Sequence, residues 1–170
     1  MIRTFRHHTV RPQQELTGKL WHFTPLQGER AGEAFPVPTP SCWETYPGFG
    51  LYRGEGRYET HFAGSGNLRI ECKGVSHTAT VYLDGEQIAA HYNAYTAFHA
   101  VAKDVPAGEH TLAIVADNRF SEQSALHVPN DYMSYGGISR PVVLEQIGDA
   151  FIEYVHVTPA KIDGVWHAHV

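Results

Sequence analysis

The stretch NDYMSYGGISRPVVLE, residues 130–145, contains an acidic side chain whose chemistry would allow it to contact a polar ligand. Asp131 lies there among aromatic residues and ahead of two glycines. An ionised carboxylate only accepts hydrogen bonds, so it can receive two of them from neighbouring hydroxyl groups of a ligand. Asp also ends loops by bonding to its own backbone neighbours. Taken alone, the residue types favour this second role, and the first stays open.

The residues that follow the acid predict the geometry of its loop. Gly136 and Gly137 suit a turn, or a close approach where a Cβ atom would clash. Arg140 precedes a proline and is therefore held extended, while Pro141 fits the first residue of a strand. We expect Arg140, and likewise Arg53, to form salt bridges or carbonyl contacts between loops rather than to bind a ligand.

Histidine is the other abundant residue that could ligate, but its spacing does not suit a metal ion. Twelve histidines are scattered along the chain, and only His7-His8 and the pair His167 and His169 are close together. Neither group has Cys or carboxylate neighbours at the spacings that zinc sites use. We therefore predict no metal site and no cofactor, and we expect the histidines on strand faces and in loops.

Composition and charge exclude several classes of protein. The chain has 170 residues, enough for one domain and the start of a second. Its net charge of −5 and the lack of a basic stripe argue against nucleic acid as a partner. The N-terminal residues MIRTFRHHTV do not resemble a secretory signal, and no apolar run approaches membrane-spanning length. Cys42 and Cys72 are too few for a disulfide framework, so we expect buried or half-buried thiols in a cytoplasmic protein.

Apolar and polar residues alternate with period two along much of the chain, which predicts strands. The clearest cases are 68–72, 78–83 and 112–116, and Asp84-Gly85 between two such runs predicts a two-residue hairpin turn. Further candidate strands are 20–24, 57–62, 86–91, 96–101, 141–147 and 151–158. Short strands without helical crossovers exclude a Rossmann fold or an α/β barrel and favour an antiparallel sandwich or barrel.

Two long connections and one hairpin complete this organisation. Residues 25–56 are rich in proline and predict a long loop, and residues 117–137 predict a second one that ends in the Asp131 stretch. His77 and His91 lie on either side of the Asp84-Gly85 turn, so we expect them to face each other across the hairpin.

The aromatic residues of the first loop allow two interpretations. They could form an exposed platform for stacking on a ligand, or they could fold down onto the sheets as part of the core. The second interpretation is the one that we expect. The residues are Trp43, Tyr46, Phe49 and Tyr52.

The C-terminal part reads as the beginning of a new structural unit. The run FIEYVHVTP is followed by a turn at Asp163-Gly164 and by VWHAHV. We expect residues 149–170 to be the first strands of a second β-domain, in a fragment of a longer protein.

Five motifs in order resemble the N-terminal, sugar-binding-type domain of glycoside hydrolase family 2, the β-galactosidase, β-glucuronidase and β-mannosidase family. The last of the five is closest in character to the β-glucuronidases. The motifs are LTGKLWHF (16–23), YRGEGRYETHF (52–62), GVSHTATVYLDGEQIAAH (74–91), YTAF (95–98) and DYMSYGGISRPVVL (131–144).

This resemblance implies an all-β fold, namely a jelly-roll (galactose-binding-domain-like) antiparallel β-sandwich over residues 1–148. Residues 149–170 would be the first strands of a truncated immunoglobulin-like domain, with a catalytic barrel beyond it. The two glutamates of the retaining mechanism, with carboxyl groups about 5–5.5 Å apart, belong to that barrel. We therefore assign no catalytic residue to this chain.

The resemblance also implies that Asp131 projects into the barrel's site and bonds sugar hydroxyls. The partners expected are a carbohydrate, a β-glycoside, for the full-length enzyme and further copies in a homo-oligomer, with no nucleic acid and no membrane. Two alternatives remain: a free-standing carbohydrate-binding module, and a purely structural interaction domain in which Asp131 only ends a loop.

Overall fold

The alternating stretches of the sequence form an antiparallel all-β fold in the computed structural model, which describes residues 11–124, 128, 131 and 133–170. The only helical segment in those ranges is one 3-10 turn at Trp43–Thr45. No helix there has the length and hydropathy needed to cross a lipid bilayer. The strands are β1 (Gln13–Glu15), β2 (Leu20–Pro25), β3 (Phe35–Pro38), β4 (Glu55–Cys72), β5 (Val75–Ser76), β6 (Thr78–Leu83), β7 (Glu86–His91), β8 (Phe98–Asp117), β9 (Gly137–Ile138), β10 (Val142–Ile147), β11 (Thr158–Ile162) and β12 (Val165–His169).

The two longest strands each belong to both layers of a β-sandwich. Residues 55–64 of β4 pair with 108–117 of β8 in a first half-sheet that also contains β2, β3, β6 and β7. Residues 67–72 of β4 pair with β10 and with the first part of β8 in a second half-sheet that β1 completes. The register shifts around Gly66, whose φ is +73°. A bulge with a left-handed glycine bends a strand, so one pair of strands passes from one layer to the other.

Most of the predicted strands are confirmed, although several are parts of longer ones. The candidates 57–62 and 68–72 are both within β4, and 96–101 and 112–116 are largely within β8. The jelly-roll-like sandwich expected from the sequence is therefore confirmed as an antiparallel β-sandwich. Its core contains residues from both half-sheets, including Leu16, Phe23, Tyr58, Leu68, Ile70, Ile114 and Val142.

The prediction of a strand at 151–158 is wrong. Residues 151–157 are not in a strand, and β11 begins only at Thr158. The backbone carbonyl of Ile152 accepts a hydrogen bond of 2.6 Å from Arg11 instead of from a neighbouring strand. Asp149 is bound to Asn67 Nδ2 at 2.9 Å, and Glu153 lies 2.7 Å from His99 Nε2. Side-chain contacts to the sandwich thus replace strand pairing in this segment.

The prediction that 25–56 is entirely a loop also needs correction. Pro25 ends β2, and β3 lies inside the segment and pairs with β2 alone. Two of the four residues of β3 are prolines, which lack the N–H group needed for a second neighbour. An edge strand tolerates them. The proline content therefore signalled an edge strand as well as a loop.

The predicted hairpin turn at Asp84-Gly85 is confirmed, with φ values of +50° and +88°. Asp84 also forms side-chain hydrogen bonds from the turn to β8. The Asp84 carboxylate accepts the backbone N–H of Thr111 at 2.8 Å and lies 2.7 Å from His110 Nδ1. These contacts join the tip of the β6–β7 hairpin to β8.

Candidate functional site

Asp131 is exposed and lies at a bend in the connection between β8 and β9. Asn130 and Tyr132, its neighbours in the sequence, lie outside the described residues. The site can therefore be built from the residues that hold the two ends of this connection, Asn118 at the start and Ser134 to Gly137 at the end.

The side chain of Glu44 joins these two ends. Its Oε1 atom accepts the backbone N–H of Gly136 at 3.0 Å and the side-chain amide of Asn118 at 3.2 Å. Its Oε2 atom lies 3.1 Å from the same Gly136 nitrogen. The side chain is only 5% exposed. One buried carboxylate thus fixes the beginning and the end of the loop that carries Asp131.

Asn118 anchors the start of the loop to the segment before β4. It exchanges two hydrogen bonds with Gly54, in which Asn118 Oδ1 accepts at 3.0 Å and the Asn118 backbone N–H donates at 3.2 Å. Its side-chain amide also donates to the carbonyl of Tyr52 at 3.0 Å. The residue is fully buried. Because all of these bonds are satisfied, the start of the loop has a defined path.

Arg53 anchors the end of the loop, as the sequence predicted for a loop-to-loop contact. Its Nη1 atom donates to the carbonyl of Ser134 at 2.8 Å and lies 3.2 Å from Glu44 Oε1. Its Nη2 atom lies 3.4 Å from the sulfur of Met133. Asp131 is therefore two residues away in sequence from the first residue that Arg53 holds.

The two glycines pass over the aromatic core, and both need the absence of a Cβ atom. A Cβ atom on Gly136 would lie 2.1 Å from Cζ2 of Trp43. Gly137 has φ of +109°, and a Cβ atom there would lie 2.6 Å from the Tyr58 hydroxyl. The backbone of Gly136 is also hydrogen-bonded to Trp43, whose N–H donates to the Gly136 carbonyl at 3.1 Å. The predicted close approach is confirmed for both glycines.

Arg140 makes the carbonyl contact that was predicted for it. Its Nη1 atom donates to the carbonyl of Tyr95 at 2.9 Å. The backbone N–H groups of Ser139 and Arg140 both donate to the carbonyl of Gly74, at 3.1 and 3.3 Å. Arg140 thus joins three loops at this end of the sandwich, and its guanidinium serves the scaffold.

Burial dominates the electrostatics of the loop base. It raises the pKa of Glu44, and the hydrogen bond from Gly136, the charge of Arg53 and the bond from Asn118 oppose this without cancelling it. Burial likewise raises the pKa of Tyr58 well above its ordinary value. The Tyr58 phenol therefore stays neutral, whereas burial disfavours the charge on Glu44 and the guanidinium of Arg53 favours it.

The expectation that His77 and His91 face each other is wrong. His91 is opposite Ala79 in the β6–β7 register, and its ring stacks on Phe98 with centroids 4.4 Å apart. His77 precedes β6, where its backbone N–H donates to the carbonyl of Asp117 at 2.7 Å. Its buried ring packs against Phe120, and burial lowers its pKa. The two rings belong to different surroundings.

The aromatic residues of the 25–56 segment form core, not an exposed platform. Trp43, Tyr46 and Phe49 are buried and surround Phe23, with ring centroids 5.3–5.8 Å from it. Tyr52 is half-buried and packs against Trp43, with ring centroids 5.4 Å apart. Packing onto the core was the expected alternative and is confirmed. Cys72 is buried and Cys42 half-buried, and both are free thiols, as predicted.

Within the described residues, no group of three or more His, Cys, Asp or Glu side chains is arranged to hold a metal ion. His7 and His8 lie outside those residues.

Two residues of the loop base, Glu44 and Asn118, were not singled out from the sequence. Glu44 lies in a 3-10 turn between prolines, and Asn118 directly follows β8. An Asn after a long strand is a signal for a loop start. Nothing local indicates that Glu44, 74 residues away in sequence, would bind it.

Comparisons with known proteins find solved glycoside hydrolases that are similar to this chain over nearly its whole length. No family model matches it. A crystal structure described as a GH2 beta-galacturonidase from Eisenbergiella tayi bound to galacturonate is 48% identical with a TM-score of 0.87, and covers 99% of this chain. A second structure of a beta-galacturonidase from that organism, bound to glycerol, is 50% identical with a TM-score of 0.85. In both cases the chain spans 30% of the solved protein.

A more distant solved structure agrees on the fold, and a curated protein matches part of the sequence. The beta-D-glucuronidase of Dictyoglomus thermophilum is 19% identical with a TM-score of 0.74 over 91% of this chain. A curated protein of Formosa agariphila, named "Putative beta-glucuronidase", is 25% identical over 91 residues, which are 53% of this chain and 11% of that protein.

The similarity at 48–50% identity runs through 99% of this chain but through less than a third of the solved enzymes. The architecture and the order of the motifs agree with it. Over 99% of its own length the chain is therefore similar to about a third of these solved GH2 enzymes, and its fold and motif order are consistent with the N-terminal β-sandwich domain of glycoside hydrolase family 2.

Proposed function

We propose that this chain is the non-catalytic N-terminal domain of a retaining β-glycosidase that removes β-linked uronic acids, with β-galacturonides as the first substrate to test. The domain would support the catalytic barrel and supply Asp131 to the sugar site. The observation that carries the proposal is the exposed Asp131 on a loop whose two ends are fixed by buried contacts. The 48% identity to a beta-galacturonidase bound to galacturonate supports the choice of sugar.

The chemistry of Asp131 fits this role. The residue is exposed, so its carboxylate is accessible to a ligand. Two vicinal hydroxyls of a pyranose could each donate to one of its oxygens, and hydrogen bonds to a charged acceptor contribute about 1.5–3 kcal/mol each. Loss of the carboxylate is therefore expected to be visible in kinetics.

The test uses the full-length enzyme with p-nitrophenyl β-D-galacturonide, β-D-glucuronide and β-D-galactoside. We expect the highest kcat/KM on the galacturonide. Asp131→Ala should lower kcat/KM about 100-fold, as expected for the loss of one or two charged hydrogen bonds. Glu29→Ala, which removes an exposed acid after β2, is the matched control and should leave kcat/KM unchanged. Unchanged kinetics of Asp131→Ala would leave that residue with a structural role only.

A free-standing carbohydrate-binding module is the second candidate. Three tyrosines favour it, because Tyr92, Tyr95 and Tyr135 are 62%, 57% and 52% exposed. Calorimetric titration of the 170-residue chain with galacturonate and oligogalacturonides separates the two functions. Micromolar binding would support the module, whereas the N-terminal domain of a split site should bind no tighter than millimolar. The isolated chain should not hydrolyse any of the three chromogenic substrates.

We also propose that residues 149–170 begin a second, immunoglobulin-like domain. The β11–β12 hairpin forms a sheet of its own and exposes Trp166 at 70%. A cytoplasmic location, suggested by the two free thiols, and a homo-oligomeric parent complete the proposal.

A further inference from the structure

We infer that Glu44 is a positioning residue for substrate binding, which acts by holding both ends of the 118–136 loop so that Asp131 is presented to the sugar. The inference rests on the proposed role of Asp131. Glu44 itself touches no substrate, because its side chain is only 5% exposed.

The geometry that carries the inference is a single oxygen atom shared by the two ends of one loop. Glu44 Oε1 lies 3.0 Å from the Gly136 nitrogen and 3.2 Å from Asn118 Nδ2. It also lies 3.2 Å from Arg53 Nη1, which in turn holds the carbonyl of Ser134 at 2.8 Å. Removing the carboxylate therefore breaks the direct link between Asn118 and Gly136 and leaves the two ends connected only through residues 52–54.

Asn118 and Arg53 have other hydrogen-bond partners besides Glu44. The role of Glu44 is therefore to place these residues relative to Gly136 more than to supply their hydrogen bonds. Asn118 Nδ2 also donates to the Tyr52 carbonyl, and Arg53 also donates to the Ser134 carbonyl. Only the Gly136 N–H has both of its contacts on Glu44. Without Glu44, residues 52–54 still hold Asn118 and Ser134, but the Gly136 N–H loses its acceptor and the direct link from Asn118 to Gly136 is lost.

The loss of this link is expected to displace Asp131, the exposed residue on the loop. A ligand-binding group that is already held in position loses less conformational entropy when it binds. A displacement of such a group by about 1 Å can lower the rate about 100-fold. Asp131 lies two residues before Met133 and three before Ser134, both of which contact Arg53. A shift of the loop end would reach Asp131 directly.

The experiment is a double-mutant cycle in the full-length enzyme, with kcat and KM measured on p-nitrophenyl β-D-galacturonide. Glu44→Ala should lower kcat/KM at least about tenfold, since it removes the direct link between the two loop ends. Glu44→Gln keeps an oxygen acceptor in place and should stay within about threefold of the wild type. In an Asp131→Asn background, Glu44→Ala should add less than about twofold, because residues that act as one unit are not additive.

Glu145→Ala is the matched control for a loss of stability without displacement of the loop. Glu145 is also a buried carboxylate, 8% exposed and paired with arginine, but it lies on β10. We expect its kcat/KM to be unchanged at a temperature where the enzyme is fully folded. If Glu44→Ala proves poorly folded, Arg53→Met takes its place, because Arg53 is about one-third exposed and its removal frees the loop end alone.

The outcomes distinguish the inference from the function on which it rests. Additive effects of Glu44→Ala and Asp131→Asn, or an equal loss for Glu145→Ala, would overturn the positioning role. If Asp131→Asn lowers kcat/KM and neither Glu44→Ala nor Arg53→Met does, the positioning role alone fails. If Asp131→Asn has no effect, the proposed function fails, and this inference fails with it.

Discussion

Two buried glutamates, Glu44 at the loop base and Glu145 on β10, have different structural roles in one domain. Their side chains are 5% and 8% exposed, and each contacts arginine. The partners of Glu145 are side chains: Arg69 Nη1 at 2.9 Å, Arg11 Nη1 at 3.5 Å and the amide of Gln13. The partners of Glu44 are one arginine, one side-chain amide and a backbone N–H.

Their pKa values move in opposite directions. Burial alone would raise the pKa of Glu145, but hydrogen bonds from Gln13 and Arg69, with the charges of Arg69 and Arg11, outweigh it and lower the pKa. Burial prevails at Glu44 and raises its pKa. The charge on Glu145 is therefore favoured in the folded domain, whereas the charge on Glu44 is tolerated. The first glutamate stabilises a sheet, and the second fixes the path of a loop.

The largest effect that this comparison predicts is for Glu145→Ala. The change leaves the guanidinium of Arg69, only 12% exposed, without its main partner. Breaking a buried pair from one side typically costs 3–5 kcal/mol, so we expect a loss of about 3 kcal/mol in the free energy of unfolding. Urea denaturation of the 170-residue chain measures it.

The double variant Glu145→Leu with Arg69→Met is the control, because replacing both charges by apolar side chains of similar size is often neutral. It should recover most of the loss. A loss below about 1 kcal/mol for Glu145→Ala would mean that the pair is solvated and that the comparison with Glu44 does not hold.

A smaller effect is expected for Gly136→Ala, which tests the packing of the loop base without touching a charge. The new Cβ atom would lie 2.1 Å from the indole of Trp43, which is fully buried. Overpacking of this kind typically costs 1–3 kcal/mol, so we expect about 2 kcal/mol. Gly148→Ala is the control, since its Cβ atom would approach only the carbonyl of Ala150, at 3.4 Å. Equal urea midpoints for the two variants would contradict the tight contact.

The sequence predicts the Arg69–Glu145 pair between β4 and β10 better than it predicts the loop base, because strand register determines which residues are opposite each other. Residues 68–72 and 141–147 were both predicted as strands, and once β4 pairs with β10 the register places Arg69 directly opposite Glu145. Cross-strand neighbours of opposite charge follow from alternation and pairing. The Asp84-Gly85 hairpin was predictable for the same reason, since its turn chemistry is contained in two adjacent residues.

The loop base is not predictable in this way, because its partners are brought together only by the finished fold. Glu44, Asn118 and Gly136 are separated by 74 and 18 residues and share no period or motif. The sequence indicated that Gly136 needs a close approach and that Arg53 joins loops, but not what they approach. The segment 151–157 failed for a related reason, since side chains from distant strands take the bonds that a strand partner would supply.

The smallest expected effect concerns the pH dependence of stability and tests the opposite pKa directions themselves. The folded pKa of Glu44 lies above its ordinary value of 4.5, so the folded chain binds the proton first as pH falls towards 4.5. Ionisation of Glu44 therefore costs stability at neutral pH, and the cost disappears below its ordinary pKa. Glu44→Gln should raise the urea midpoint at pH 7 by less than the Gly136→Ala variant lowers it, and should leave it unchanged near pH 4.

Glu145 has the reverse sign, because its folded pKa lies below 4.5. Its contribution to stability is present above that ordinary value and is lost as pH falls through the folded pKa. Glu145→Gln should therefore lower the urea midpoint at pH 7, and the difference from the wild type should shrink below about pH 4. Parallel pH profiles for the two Gln variants would show that both carboxylates are favoured to the same extent. The division between a stabilising and a positioning glutamate would then rest on the kinetic cycle alone.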